Sequence, residues 1–221
     1  MKHMARRAAL FDMDRTLVRK DTAALYTRYQ RDLGEASVAD LLQVGWWMIQ
    51  YTLGVIDAPK VALKALENFR GKEERWLIET CEGWFRDYVV EHVQPAARAA
   101  VARHKAEGNF TAIVTGATRY AADPLARELG IDAVVCTSLE VDADGRFTGK
   151  VIEPLCYGEG KITLSSVVAE REGFKLSEAT FYSDSITDLP LLEAVKLPIV
   201  VNPDARLRRV ARRRNWTIER W

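Results

Sequence analysis

Asp12 and Asp14 stand one residue apart in the run Phe11-Asp12-Met13-Asp14-Arg15-Thr16-Leu17. Two carboxylates so spaced, where a chain leaves strand pairing, can face one small volume: one can attack a phosphorus atom while the other handles the leaving-group proton. The same pair also occurs in surface turns. A second run, Val114-Thr115-Gly116-Ala117-Thr118, joins a hydroxyl to a glycine that exposes backbone N–H groups. That combination makes an anion cradle, although a plain helix cap uses the same residue types. Lys161, in Gly158-Glu159-Gly160-Lys161, can neutralise phosphate charge or simply be solvated. Asp184 and Asp188 lie four apart in Tyr182-Ser183-Asp184-Ser185-Ile186-Thr187-Asp188-Leu189. They can supply a magnesium ligand and its partner, since magnesium takes hard oxygen ligands from few carboxylates.

These residues need elements that bring them together. Residues 7–12 read as a short buried strand ending in acid, and Phe110 to Thr115 as another ending in Thr. A strand over 180–183 leads into Asp184. In between, residues 22–90 have a helical period throughout, with helices expected at 22–32, 37–54, 57–69 and 73–90. From Pro95 onward helix and strand alternate: helices at 95–107, 119–129, 160–172, 187–195 and 204–213, and strands at 133–142, 146–152 and 197–201. Asp144-Gly145 marks a hairpin turn. The rhythm predicts an α/β domain with a parallel sheet, interrupted by a helical insertion. In such sheets ligands bind beyond the carboxyl ends of the strands, where Asp12, Thr115 and Asp184 all fall.

Composition narrows the classes. A net charge of +1 gives no reason to expect nucleic acid, and the arginines at 206, 208, 209, 212, 213 and 214 read as a solvated C-terminal helix face. Cys81, Cys136 and Cys156 show neither a disulfide framework nor zinc-ligand spacing, and fit free thiols in the cytoplasm. The N-terminus has too short an apolar run for a signal peptide. Residues 41–56 are too short and too interrupted for a membrane span. They read as a buried helix, with a lipid- or partner-facing patch around Trp46, Trp47 and Tyr51 as the second reading. His3, His92 and His104 have no Ser or Cys partner at a telling spacing.

Taken together, the order, spacing and strand-end placement of the four motifs resemble the haloacid dehalogenase-like phosphatases, in particular their phosphoserine-phosphatase-like branch. The similarity covers the chain through Val201-Asn202-Pro203-Asp204 and the tail with Leu207, Ala211 and Trp216. It implies a Rossmann-like parallel-sheet core over 1–20 and 91–221, with an α-helical cap at 21–90. It also implies a Mg2+-dependent phosphatase acting on a small phosphorylated metabolite through an aspartyl-phosphate on Asp12. Asp14 would be the general acid and then base. Thr115, Gly116 and Lys161 would bind the phosphoryl group. Asp12, the Asp14 carbonyl and Asp184 would hold the metal, and Asp188 would orient Lys161 or the metal shell. Arg15 and Ser183 depart from the glycines common at those positions.

The same resemblance bears on the substrate. Phosphoserine-specific relatives use a glutamate nine positions after the nucleophile, where this chain has the shorter Asp21; helix capping is the other reading of that residue. They also use a cap arginine, whereas residues 59–67 contain none and Arg70 is the nearest. Losing a bidentate carboxylate clamp penalises an amino-acid phosphate. The expectation is therefore that phosphoserine is not the best substrate, with histidinol phosphate or a lipid head-group phosphate as candidates. A phosphotransferase and a catalytically silent phosphate-binding regulator on the same fold are the alternatives. A signalling receiver would need its phosphoacceptor in the middle of a short chain.

Overall fold

The computed structural model describes residues 7–35 and 69–221. They fall into two compact units, one drawn from residues 7–19, 93–137 and 154–221, the other from residues 20–35, 69–92 and 138–153.

The first unit is built on parallel strands. β1 (Ala8–Phe11), β2 (Phe110–Thr118), β3 (Ala133–Val141), β5 (Thr180–Ser183), β6 (Leu197–Val201) and β7 (Thr217–Glu219) pair in the order β3-β2-β1-β5-β6-β7. Every one of these pairings is parallel. All residues of β1 and β5 are buried, as expected of strands covered on both faces. Between the strands run α3 (Pro95–Ala106), α4 (Arg119–Leu129), α5 (Glu159–Glu172), α6 (Leu189–Ala194) and α7 (Ala205–Arg213). Leu10, Phe110, Val114, Phe181, Leu191 and Leu207 belong to one buried cluster. Phe11 and Tyr182 stack face to face at 4.7 Å, and His104 of α3 meets both rings edge-on.

The second unit holds α1 (Thr22–Asp32) and α2 (Glu74–Trp84), a π-helical turn over Phe85–Val89 and a 3-10 turn over Val90–His92. Tyr26 packs edge-on against Trp84, and Tyr29 against Tyr88. Its remaining described part includes a hairpin formed by the end of β3 and β4 (Phe147–Ile152), which pair antiparallel.

The hairpin differs from the expected division, in which 91–221 was core. Residues 138–153 group with the helical unit because the segment before α2 pairs with them. Gly71 N–H donates to Phe147 O, Phe147 N–H to Lys72 O, and Glu74 N–H to Gly145 O. Arg146 donates to both Gly71 O and Glu73 Oε1 at 2.8 Å.

Other expectations shift at their ends. The helix expected over 73–90 leaves α-geometry after Trp84, and β2 runs past Thr115 to Thr118. β7 was not foreseen, being three residues long and without apolar alternation. The expected helices 37–54 and, apart from Phe69, 57–69 lie outside the described residues, as does the apolar stretch 41–56. No described helix is long and apolar enough to cross a membrane. All the cysteines are free thiols.

Candidate active site

β1 is the central strand, and its register sets what surrounds Asp12. Phe11 is level with Ile113 of β2 and with Tyr182 of β5. Asp12 and Asp184 therefore follow the ends of β1 and β5, Thr115 lies in β2 two residues beyond the partner of Phe11, and the Asp12 N–H donates to Tyr182 O at 2.9 Å. The next residues turn sharply. Val18 N–H bonds Met13 O, and Arg15 takes a left-handed φ of 55°. Gln94, at the start of α3, fastens this turn: its side-chain amide donates to Thr16 O at 2.6 Å and its N–H to Leu17 O at 3.0 Å. Nothing in the sequence singled out Gln94, because a backbone-directed amide leaves no spacing signal.

On the β2 side the register with β3 shifts between Thr115 and Thr118. Such a bulge re-aims side chains and frees backbone groups. Thr115 Oγ1 accepts from Ala117 N–H at 3.1 Å, while Thr118 stands at the N-cap of α4 without a side-chain cap bond. The local geometry is that of an irregularity inside β2, and no side-chain cap bond is made at the start of α4.

Lys161 enters from α5. The loop before it passes so close that a Cβ at Gly160 would sit 1.9 Å from Leu155 O, so only glycine fits there. This approach seats the lysine, which is 3% exposed. Its Nζ lies 2.7 Å from Asp12 Oδ1 and 2.8 Å from Asp188 Oδ2. Ser183 Oγ donates to the same Asp188 oxygen at 2.8 Å. The serine that departs from the common glycine thus adds a buried hydrogen bond to the lysine's partner.

Electrostatics follow from this burial. Desolvation, reinforced by the Asp188 charge and opposed by Lys161, pushes the Asp12 carboxyl up to about 6. Asp184 is raised well above the carboxylate range by burial and by the charges of Asp12 and Asp188. Burial alone would depress Lys161, but Asp12 and Asp188 more than reverse that and hold it firmly protonated. Asp12, Asp184 and Asp188 are all buried, and Lys161 is the buried cation among them. The mutual repulsion that lifts Asp184 is what an added cation relieves. No group of three or more His, Cys, Asp or Glu side chains placed to hold a metal occurs among the described residues. The donor set therefore fits as two carboxylates, Asp12 and Asp184, completed by a carbonyl, water and phosphate, the mixed oxygen set that magnesium accepts.

Of the sequence-derived residues, the first unit gathers Asp12, Lys161 and Asp188 in direct contact, places Asp14 in the same turn, and brings Thr115, Gly116 and Asp184 to neighbouring strand ends. Asp21 and Arg70 belong to the second unit. Asp21 Oδ1 accepts from Ala24 N–H at 3.3 Å, so the capping role is realised. Arg70 lies across Gly149, whose φ of 81° and lack of Cβ leave it room. His104 is a core histidine, bonded through Nε2 to Tyr182 OH at 2.9 Å. His3 is outside the described residues.

The family model of the haloacid dehalogenase-like hydrolases matches residues 9–193. A histidinol-phosphatase of Neisseria meningitidis is 33% identical over 95% of this chain and 96% of its own length. A phosphoserine phosphatase of Mycobacterium tuberculosis is 31% identical over 96% of this chain and 70% of its own. The crystal structure of a protein of unknown function from Bordetella pertussis superposes with a TM-score of 0.87 at 31% identity, covering 97% of this chain and 98% of that one.

Proposed function

Because the chain belongs to the haloacid dehalogenase-like hydrolases, we propose that it is a magnesium-dependent phosphatase that cleaves a small phosphate monoester through an aspartyl-phosphate on Asp12. The observation that carries this reading is the buried bridge from Lys161 to both Asp12 and Asp188. It holds one oxygen of Asp12 and leaves the other to attack. With a carboxyl raised only to about 6, Asp12 is ionised at neutral pH.

In the first step the free Asp12 oxygen bonds to phosphorus, the bond to the leaving-group oxygen breaks, and Asp14 gives that oxygen a proton. In the second, Asp14 takes a proton from water as the water oxygen bonds to phosphorus. The Asp12–phosphorus bond then breaks and inorganic phosphate leaves. Lys161 Nζ, the Thr115 hydroxyl and the Gly116 N–H hold the phosphoryl oxygens throughout, so positioning and charge neutralisation carry the catalysis. Mg2+ bound by Asp12, the Asp14 carbonyl and Asp184 would supply further neutralisation of the phosphoryl charge. Asp188, fixed by Ser183, keeps Lys161 aimed.

For the substrate we favour an amino-alcohol phosphate over phosphoserine. The name of the Neisseria relative supports this, as does the lack of an arginine in residues 59–67. The test is kcat/KM with Mg2+ across histidinol phosphate, phosphoserine, a sugar phosphate and a lipid head-group phosphate. Histidinol phosphate is expected to lead phosphoserine by at least about ten-fold, the effect of one missing hydrogen bond to a charged group, about 1.5–3 kcal/mol. A clear preference for phosphoserine overturns the substrate assignment, and failure to hydrolyse any monoester overturns the phosphatase.

A further inference from the structure

Asp184 leads into a loop in which the N–H groups of the next four residues, Ser185 to Asp188, are each hydrogen-bonded within the protein. Ser185 N–H donates to Ser183 Oγ at 3.2 Å, Thr187 N–H to Ser185 Oγ at 3.3 Å, and Asp188 N–H to Ser185 O at 3.1 Å. The remaining N–H of this run, that of Ile186, donates to Asp204 Oδ2 at 2.7 Å. The same residue returns a bond from its backbone, with Asp204 N–H donating to Asp184 O at 2.9 Å. Asp204 thus grips the peptide groups on both sides of Ser185. Its other oxygen, Oδ1, accepts from Arg206 N–H and Leu207 N–H at 2.7 and 2.9 Å and so caps α7.

We propose that Asp204 is a positioning residue for the cation site: by fixing the Asp184–Ile186 backbone against the start of α7, it sets the direction in which the Asp184 carboxylate points. This rests on the reading of Asp184 as a Mg2+ ligand. A carboxylate is needed because two tasks fall on one side chain, and each oxygen performs one of them. The loop also spends its N–H groups on the protein interior, so it offers the site carboxylate oxygens rather than amide hydrogens. That suits a cation.

The two tasks can be separated. Asp204→Asn and Asp204→Ser each keep an oxygen able to cap α7, because Asn and Ser rank beside Asp at that position. Neither keeps an acceptor for Ile186 N–H. The experiment is calorimetric titration with Mg2+ of the whole chain as parent, Asp184→Asn, Asp204→Asn and Asp204→Ser, with metal-free hydrogen exchange at the Ile186 amide. Asp184→Asn is expected to lose Mg2+ binding. Both Asp204 variants are expected to bind Mg2+ about 10-fold more weakly, the usual effect of losing a group that orients a metal ligand. Their Ile186 amide should exchange faster while α7 amides keep parental protection. Parental Mg2+ affinity in the Asp204 variants, beside a non-binding Asp184→Asn, overturns the positioning role. Weaker binding together with lost protection along α7 also overturns it, because that marks a broken cap. Parental binding in Asp184→Asn overturns the metal reading on which the proposal stands.

Discussion

In the first unit the charges that matter are buried and interlocked. Lys161 bridges Asp12 and Asp188, Ser183 braces Asp188, and Asp184 sits beside them. In the second unit the ion pairs Arg75–Glu79, Arg86–Asp87 and Arg146–Glu73 all lie at the surface. Buried side-chain atoms without a hydrogen-bond partner among the described residues occur in both units, Thr16 Oγ1 and Ser165 Oγ in the first and Tyr26 OH and Trp84 Nε1 in the second, so it is the buried charges that set the two apart. Burying charges costs desolvation and is tolerated only with close partners, whereas surface pairs contribute little either way. A substitution in the first unit should therefore disable chemistry far more than a substitution in the second changes stability.

The sharpest way to break this contrast is Asp12→Asn, which removes the proposed nucleophile and is expected to cut kcat on the order of 10⁴-fold or more, as loss of a covalent nucleophile does. A rate within ten-fold of the parent would remove Asp12 from the mechanism. Asp14→Asn should follow with about 10²–10⁴-fold, the range of acid–base catalysis, measured at saturating substrate. Unchanged turnover there would move the proton transfer to another group.

A smaller effect tests the buried charges through pH. Without metal, the Asp12 carboxyl holds its proton up to about pH 6, higher than in the unfolded chain, and Asp184 is raised as well. The folded state thus binds more protons across this window, so these groups contribute less stability as pH rises through it. If Mg2+ is held by Asp12 and Asp184 as proposed, it displaces those protons, and its affinity should be about 10-fold higher at pH 7.5 than at pH 5. Melting curves with and without Mg2+ should accordingly diverge as pH increases. A Mg2+ shift that does not change with pH would place the ion away from Asp12 and Asp184.

The smallest expected effects lie in the second unit. Asp21→Ala should cost about 1 kcal/mol through loss of the α1 cap. Arg146→Ala should cost no more than about 1 kcal/mol, because its pair with Glu73 is half exposed. Denaturant unfolding measures both. If Asp21→Ala instead raises KM for one phosphate and spares others, the residue reads substrate as well as capping its helix.

Most of the site was legible in the sequence because its motifs sit at strand ends, and a parallel α/β sheet sends those ends to one edge. Asp12, Asp14, Thr115, Lys161, Asp184 and Asp188 are each ambiguous by residue type and spacing; their joint order, and the family resemblance it carries, marks them as candidates. β1, β2 and β5 follow from their continuous apolar runs, which allow little else. Tertiary structure alone decided what holds these residues in place. Ser183 reaches Asp188, Gln94 fastens the turn after Asp12, and Asp204 grips the Asp184 loop. Each acts through a bond to backbone or to one neighbouring atom, which residue spacing does not encode. The hairpin's membership of the second unit was equally hidden, since its pairing with Gly71, Lys72 and Glu74 joins segments far apart in the chain. Local pattern determines which elements form and which reactive groups they carry; long-range hydrogen bonds, formed only once the chain has folded, decide the direction in which those groups point.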